Sequence, residues 1–311
     1  MRAVRCCDTK IQVTDVPEPK GDGVRVHVKS ASICGSDLHL LSYGIPLPHT
    51  LGHEFAGVLD DGRAVAIEPL RPCGECDLCQ SDDYNLCRLG AGIIMGVGSD
   101  GGMTDQVIVP ERCVVPIPDG LPVRSACLVE PIAIAVHGVR LGGVGEGDRV
   151  SIIGGGSIGL AATAACRALG AEVAMHARHP HQVEAARNLG AIGPGGESPF
   201  VIDCAGTNES IAQAMELCRP GGRVILLATY WDGMTIPAMV MCLKEIQVIP
   251  SSLYNHQHTP SDFEFASDML ARNSDIAEVL VTHRLPLDDA ARAFEIAADR
   301  KAGAIKVVLE V

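Results

Sequence analysis

The run Gly154-Gly155-Gly156-Ser157-Ile158-Gly159 narrows the folds open to this 311-residue chain more than any other segment. It follows a short apolar stretch, Arg149-Val150-Ser151-Ile152-Ile153, and opens a helix-patterned stretch from Ile158 to Leu169. A glycine turn between a buried strand and a helix meets the context test for the G-x-G-x-x-G turn of dinucleotide-binding βαβ units. Glycines let the backbone approach a pyrophosphate, and the helix N-terminus favours its charge. Gly154, Gly156, Ser157, Ile158 and Gly159 are therefore candidate cofactor contacts. The pattern continues with strands expected at Glu172–Ala177, Phe200–Cys204 and Arg223–Ala228, and helices at His181–Leu189 and Ser210–Leu217. Strands alternating with helices imply a parallel sheet.

The first 120 residues read differently. Val24, Val26 and Val28 alternate with Arg25, His27 and Lys29, a period of two, and Pro and Gly punctuate the stretch at short intervals. This predicts a compact β-rich unit with long loops. Beyond about residue 255 the strand–helix alternation stops. Residues 262–272 and 287–299 are patterned as amphipathic helices and Ala304–Glu310 as a final strand. The length fits about two domains of roughly 150 residues. The 34 glycines and 3% aromatic content suit an α/β enzyme better than a helical bundle.

A net charge of −13 repels phosphate backbones, so nucleic acid is not an expected partner. Met1-Arg2-Ala3-Val4-Arg5 carries no apolar secretory core, and the uncharged run Val150–Cys166 is broken by glycines and too short to span a bilayer. The expectation is a soluble cytoplasmic protein without a membrane partner. Eight of the 13 cysteines are scattered without framework spacing, which reads as reduced thiols.

The other five sit where metals bind. Cys73-Gly-Glu-Cys76-Asp-Leu-Cys79, closed by Cys87, lets thiolates curl around one ion. Four thiolates with no open position predict a structural zinc, with an iron–sulfur cluster as the rival on spacing alone. A second set is spread along the chain: Cys34-Gly35-Ser36-Asp37-Leu38-His39, Gly52-His53-Glu54 and Glu130-Pro131. Mixed sulfur, nitrogen and oxygen ligands from separate segments suit a catalytic zinc with an exchangeable position.

In this order, and together with Gly101-Gly102-Met103, the glycine turn and Lys306-Val-Val-Leu309, the motifs resemble the medium-chain zinc alcohol/polyol dehydrogenase family over essentially the whole chain. The resemblance implies an α/β architecture: a GroES-like β-rich catalytic domain with an inserted Rossmann domain and the active site in the cleft between them. Its boundaries would be 1–131 with a zinc lobe at 71–90, 132–255 for the Rossmann insert, and 256–311 completing the catalytic domain. It implies Cys34, His53, Glu54 and Glu130 around the catalytic zinc, and Asp37 orienting His53. Lys306 would be a cofactor residue. Zinc would activate the substrate oxygen as a Lewis acid, the substrate carbon would give its hydride to the nicotinamide, and Ser36 and His39 would carry the proton outward. Glu130 stands where many alcohol dehydrogenases have cysteine, as in the polyol, sugar and threonine branches. The segment Lys244-Glu245-Ile246-Gln247-Val248-Ile249 resembles the strand that pairs across a two-fold axis, implying a homodimer or homotetramer. The rival functions are a zinc-assisted isomerase or lyase using its nucleotide transiently, and a zinc- and nucleotide-binding protein without turnover.

Two departures from the family pattern stand out. Only nine residues separate Gly190-Ala191 from Val201-Ile202-Asp203, where relatives have a further strand and helix. The acidic residue that ends the second Rossmann strand in NAD-using relatives is replaced by Ala177, followed by Arg178 and His179. Losing a carboxylate that would repel a 2′-phosphate, and gaining a guanidinium fork that suits one, predicts NADP over NAD.

Overall fold

The computed structural model describes residues 1–7, 10–299 and 301–311. The chain divides into two compact units: Met1–Glu130 with Asn255–Ala277 and Val281–Val311, and Pro131–Tyr254 with Glu278–Leu280. The first begins with an antiparallel pair, β1 (Arg2–Cys7) and β2 (Lys10–Asp15). β3 (Val24–Ser32), β4 (Glu54–Leu59), β5 (Ala64–Ile67), β6 (Gln106–Val109) and β7 (Val114–Pro116) follow. The period-two reading of β3 has its counterpart in burial: Val26 and Val28 are almost fully enclosed while Lys29 is exposed.

The second unit is a five-stranded parallel sheet. Its strands are β8 (Arg149–Ile153), β9 (Glu172–His176), β10 (Ser198–Asp203), β11 (Cys218–Leu226) and β12 (Gln247–Pro250), in spatial order β12-β11-β10-β8-β9. The strands read as short Val/Ile runs because strands of such sheets are covered on both faces. Ile153, Val201 and Val224 share a core with Ile211 and Met215 of the helix Asn208–Leu217. Strand order reverses between β8 and β10, and the carboxyl ends of strands at such a switch point are where α/β sheets bind ligands.

The shortened stretch after Gly190 has a direct structural correlate. Beyond β9 the sheet gains only one isolated bridge, Ala174 with Ile192. There the Ile192 N–H donates to the Val173 carbonyl at 2.8 Å, and Met175 N–H to the Ile192 carbonyl at 3.2 Å. Gly193–Gly196 then leads straight to β10. Among the described residues no further strand or helix stands between that bridge and β10.

The chain then returns to the first unit. The helix Asp262–Arg272 matches the sequence expectation. The expected helix at 287–299 is a 3-10 turn, Leu287–Asp289, followed by the helix Ala290–Ala298. A strand that the sequence pattern did not signal, β13 (Val281–Pro286), pairs in parallel with β14 (Lys306–Glu310). Its polar residues Thr282, His283 and Arg284 fit an edge position where neither face is fully enclosed. β14 lies antiparallel to β3, giving the sheet order β13-β14-β3-β4-β5-β7 with β6 on the free part of β3.

Gly159 shows how tightly the glycine turn constrains the second unit. A Cβ there would lie 1.8 Å from the Gly154 carbonyl oxygen. We expect Gly159→Ala to cost about 1–3 kcal/mol, as overpacking does, read as a lower midpoint in chemical denaturation. An unchanged midpoint would show that the helix Ser157–Ala168 shifts without penalty.

Candidate functional site

Three neighbouring strands of the first unit build one largely buried cluster, in which Cys34 is half-buried and His53 and Glu54 are buried. Cys34 follows β3 and caps the helix Gly35–Ser42; His53 immediately precedes β4 and Glu54 begins it. Ser32 and Glu54 are register partners, so the end of β3 and the start of β4 meet there. The Cys34 sulfur, a His53 ring nitrogen and a Glu54 carboxylate oxygen all lie within 4.8 Å of one another. Behind them, Gly101, Gly102 and Met103 donate backbone N–H groups to the carbonyls of Thr50, Gly52 and Leu51, each at 2.8 Å. A Cβ on Gly101 would stand 2.2 Å from the Gly52 oxygen, which explains glycine in this run.

The helix 35–42 supplies more of the site. Asp37 is buried and accepts the Cys34 backbone N–H at 3.0 Å. Its other oxygen is 3.5 Å from His53 Nδ1. Ser36 Oγ lies 3.4 Å from His53 Nε2. His39 is three residues beyond Ser36, so both occupy one helix face. Burial disfavours a charged His53 ring, but the charges of Asp37 and Cys34 outweigh it and hold its pKa well above the usual value. Burial pushes the Asp37 carboxyl up.

Lys306 of β14 completes the cluster. Its ammonium donates to both Glu54 oxygens at 2.8 Å and to the Ile33 carbonyl at 3.2 Å, which uses all three hydrogens. Ser32 Oγ also donates to Glu54. Burial opposes both charges, yet each partner stabilises the other: the Glu54 pKa is lowered and the Lys306 pKa raised. Ser32 was not singled out in the sequence, where it is one of two serines in an otherwise ordinary strand. Glu130, in the first turn of the helix Val129–Leu141, is buried too. It stands outside the three-residue cluster, although its charge acts on both His53 and Lys306.

The second cluster is Cys73, Cys76, Cys79 and Cys87. Their sulfurs are 3.5 Å (76–79), 3.6 Å (73–87), 3.8 Å (73–79) and 4.0 Å (76–87) apart. A tetrahedral ion with metal–sulfur bonds of about 2.3 Å spaces its sulfurs by about 3.8 Å. A polynuclear iron–sulfur cluster interposes its own atoms and needs wider gaps, so the geometry fits one ion. The backbone N–H groups of Cys73 and Cys76 donate to Cys87 and Cys73 sulfur at 3.4 Å. Backbone hydrogen bonding near Arg88 and Cys79 draws Cys76 down to about 6, while burial and its neighbours push Cys79 up to about 12. Four sulfurs this close cannot all ionise without a cation.

In the second unit the glycine turn joins β8 to the helix Ser157–Ala168, which Gly156 caps. Gly154 has φ +99°, Gly159 meets the Gly154 carbonyl, and a Cβ on Gly156 would touch nothing within 4 Å. These are the three roles of such a turn: the tight bend, the helix–strand contact and an open approach for a diphosphate. Ala177 follows β9 directly, and its Cβ lies 2.7 Å from where a Cβ on Gly155 would stand. Arg178 beside it is exposed, and the His179 ring stacks on His181 with centroids 5.6 Å apart.

A GroES-like unit with thiol and imidazole clusters, together with a Rossmann unit carrying an open glycine turn, defines the zinc-binding dehydrogenase class. Residues 20–119 match the alcohol dehydrogenase GroES-like domain and residues 194–272 the zinc-binding dehydrogenase family. An L-galactonate-5-dehydrogenase from Escherichia coli K12 is 29% identical over 90% of this chain and 89% of its own. The NADP-bound structure of a chain described as a zinc-binding dehydrogenase, from Sinorhizobium meliloti 1021, is 30% identical with a TM-score of 0.89, covering 100% and 99% of the two chains. An alcohol dehydrogenase from Escherichia coli CFT073 complexed with NADH is 27% identical with a TM-score of 0.87, covering 100% and 99%. The chain belongs to the medium-chain zinc-dependent alcohol/polyol dehydrogenase family. It is an oxidoreductase that moves hydride between an alcohol or polyol and a nicotinamide dinucleotide, a reading the relatives favour over an isomerase or lyase.

The Glu54–Lys306 pair yields a stability test. Lys306→Met leaves a buried carboxylate uncompensated, so we expect a loss of about 3–5 kcal/mol in urea unfolding. Adding Glu54→Gln should recover part of it. No loss in the single variant would mean that the pair contributes nothing to holding these strands.

Proposed function

We propose that this chain is a dehydrogenase of small polyhydroxylated substrates that holds two zinc ions and takes NADP in preference to NAD. The observation that carries the reading is the convergence of Cys34, His53 and Glu54 within 4.8 Å, a mixed sulfur, nitrogen and oxygen set of the kind that leaves a position for exchange. Cys34 and His53 hold the catalytic ion, with Glu54 or Glu130 as the carboxylate beside it. Cys73, Cys76, Cys79 and Cys87 hold the structural one. Bound there, the catalytic ion supplies Lewis acidity and the dinucleotide a hydride acceptor.

The chain's own side chains do the rest. Asp37 fixes the Cys34 backbone and faces His53, which keeps that ring oriented. Ser36 receives the substrate hydroxyl proton, and His39, on the same helix face, passes it to solvent. Gly154, Gly156, Ser157, Ile158 and Gly159 receive the diphosphate, and Arg178 with His179 the adenosine end. Lys306 acts through Glu54, its hydrogens already committed to protein acceptors.

The domain reading is a GroES-like domain at 1–131 completed by 256–311, with the Rossmann insert at 132–255. Assembly as a homodimer or homotetramer is supported by β12, an edge strand of its sheet, and by Met239 and Leu243, both exposed in the helix just before it. Reduced thiols throughout suit the cytoplasm. No helix among the described residues is long and apolar enough to cross a membrane.

Elemental analysis of the purified chain should find two zinc ions. Cys76→Ser should lose one of them and unfold at lower temperature, since a closed site contributes folding energy. Iron in place of zinc, or a single metal in fully loaded protein, would overturn this assignment.

Cofactor choice has its own test. Arg178→Ala removes a charge-assisted contact and should weaken NADP about ten- to a hundredfold while NAD is nearly unaffected. Titration calorimetry of both cofactors decides it. Tighter binding of NAD to the parent, or equal weakening of both, overturns the preference.

A further inference from the structure

Asp203, the last residue of β10, is fully buried, and its hydrogen-bonding capacity is full. One carboxylate oxygen accepts the N–H groups of Ala205 at 2.8 Å and Gly206 at 3.3 Å. The other accepts Ser210 Oγ at 2.7 Å and the Tyr230 hydroxyl at 2.6 Å. Four donors match about four lone-pair sites, and all four donors are neutral. A carboxylate withdrawn from water and met only by neutral donors is costly. With no lone pair left for a ligand, what it supplies is placement.

The pieces it places surround the glycine turn. The Asp203 backbone carbonyl accepts Leu227 N–H at 3.0 Å and Ala228 N–H at 3.1 Å, and Cys204 N–H donates to Ile153 at 2.9 Å. A Cβ on Gly154 would sit 3.0 Å from Ala205 N. A Cβ on Gly206, whose φ is +69°, would sit 3.0 Å from Ala228 Cβ. The ends of β8, β10 and β11 are thus tied together by the backbone of residues 203–204, with the Asp203 side chain holding the turn after β10 and Tyr230 beyond β11, at the switch point where this sheet type takes its ligand. The Tyr230 ring packs on the core of Ile211 and Met215, so its hydroxyl arrives at Asp203 from a fixed body.

We infer that Asp203 and Tyr230 are positioning residues for the nicotinamide dinucleotide, locking the 203–206 turn and the 228–230 run against Gly154. The inference rests on the dinucleotide reading of the glycine turn. Tyr230→Phe keeps the ring and its packing but removes the donor, and Asp203 retains three others. Asp203→Asn keeps the shape but turns one acceptor into a donor.

The test is calorimetric titration of NADPH into the full chain as isolated, alongside thermal melts and steady-state kinetics. In Tyr230→Phe the dissociation constant should rise about tenfold, with KM for the dinucleotide rising in step. Its kcat at saturating cofactor and its melting temperature should stay near the parent's. Asp203→Asn should weaken binding at least as much. A lower melting temperature with unchanged affinity in Tyr230→Phe would make the pair merely structural and overturn the inference. A parent chain that binds neither NADPH nor NADH would overturn the dinucleotide reading itself, whereas a binding parent with an unaffected Tyr230→Phe overturns only the positioning role.

Discussion

The ion pair between Lys306 and Glu54, both almost wholly withdrawn from water, is the interaction on which the first unit's site depends. Neither charge is tolerable there alone, because desolvation of an unpaired ion costs several kcal/mol or more. Together they require β14, β3 and β4 to lie side by side in one register. That register puts Cys34 just past the end of one strand and His53 just before the start of the next. Replacing such a pair by well-packed apolar residues is often neutral or stabilising, so its retention points to placement of polar groups rather than to stability. Asp203 in the second unit follows the same logic with neutral donors.

Much of this was readable in advance where local chemistry dictates geometry. The glycine turn was legible because a bend, an open approach and a close helix contact each exclude a side chain. The four-cysteine lobe was legible because its ligands lie within fifteen residues of one another. β13 was not, since Val281-Thr-His-Arg-Leu-Pro alternates poorly and owes its strand form to pairing with β14. The company of Glu54 was equally hidden. A lysine opening an apolar strand signals that some carboxylate must answer it, but periodicity does not say which one. The Asp203–Tyr230 contact joins two strand ends and leaves no pattern in either segment.

The trimmed sheet bears on how little a Rossmann unit needs. Past β9 the described sheet continues only as one bridge at Ile192, a residue that is 65% exposed. The order β9-β8-β10 across the switch point survives. A strand at the far edge contributes burial to the sheet, whereas the reversal between β8 and β10 shapes the ligand end, so the first is dispensable in a way the second is not.

Lys306 and Glu54 are 252 positions apart in the chain, with the whole second unit threaded between them. As the protein is synthesised, Glu54 must wait, unpaired, while the intervening residues emerge. Contacts of such sequence separation form late, because loop closure precedes their reward. The Rossmann insert is built from neighbouring β and α segments and is free to fold meanwhile, exchanging a long flexible loop for a compact body. The four-cysteine lobe, by contrast, is wholly local in sequence and waits on no distant segment. The cluster of Cys34, His53 and Glu54 therefore stands on a contact that exists only once the last strand of the chain has been made.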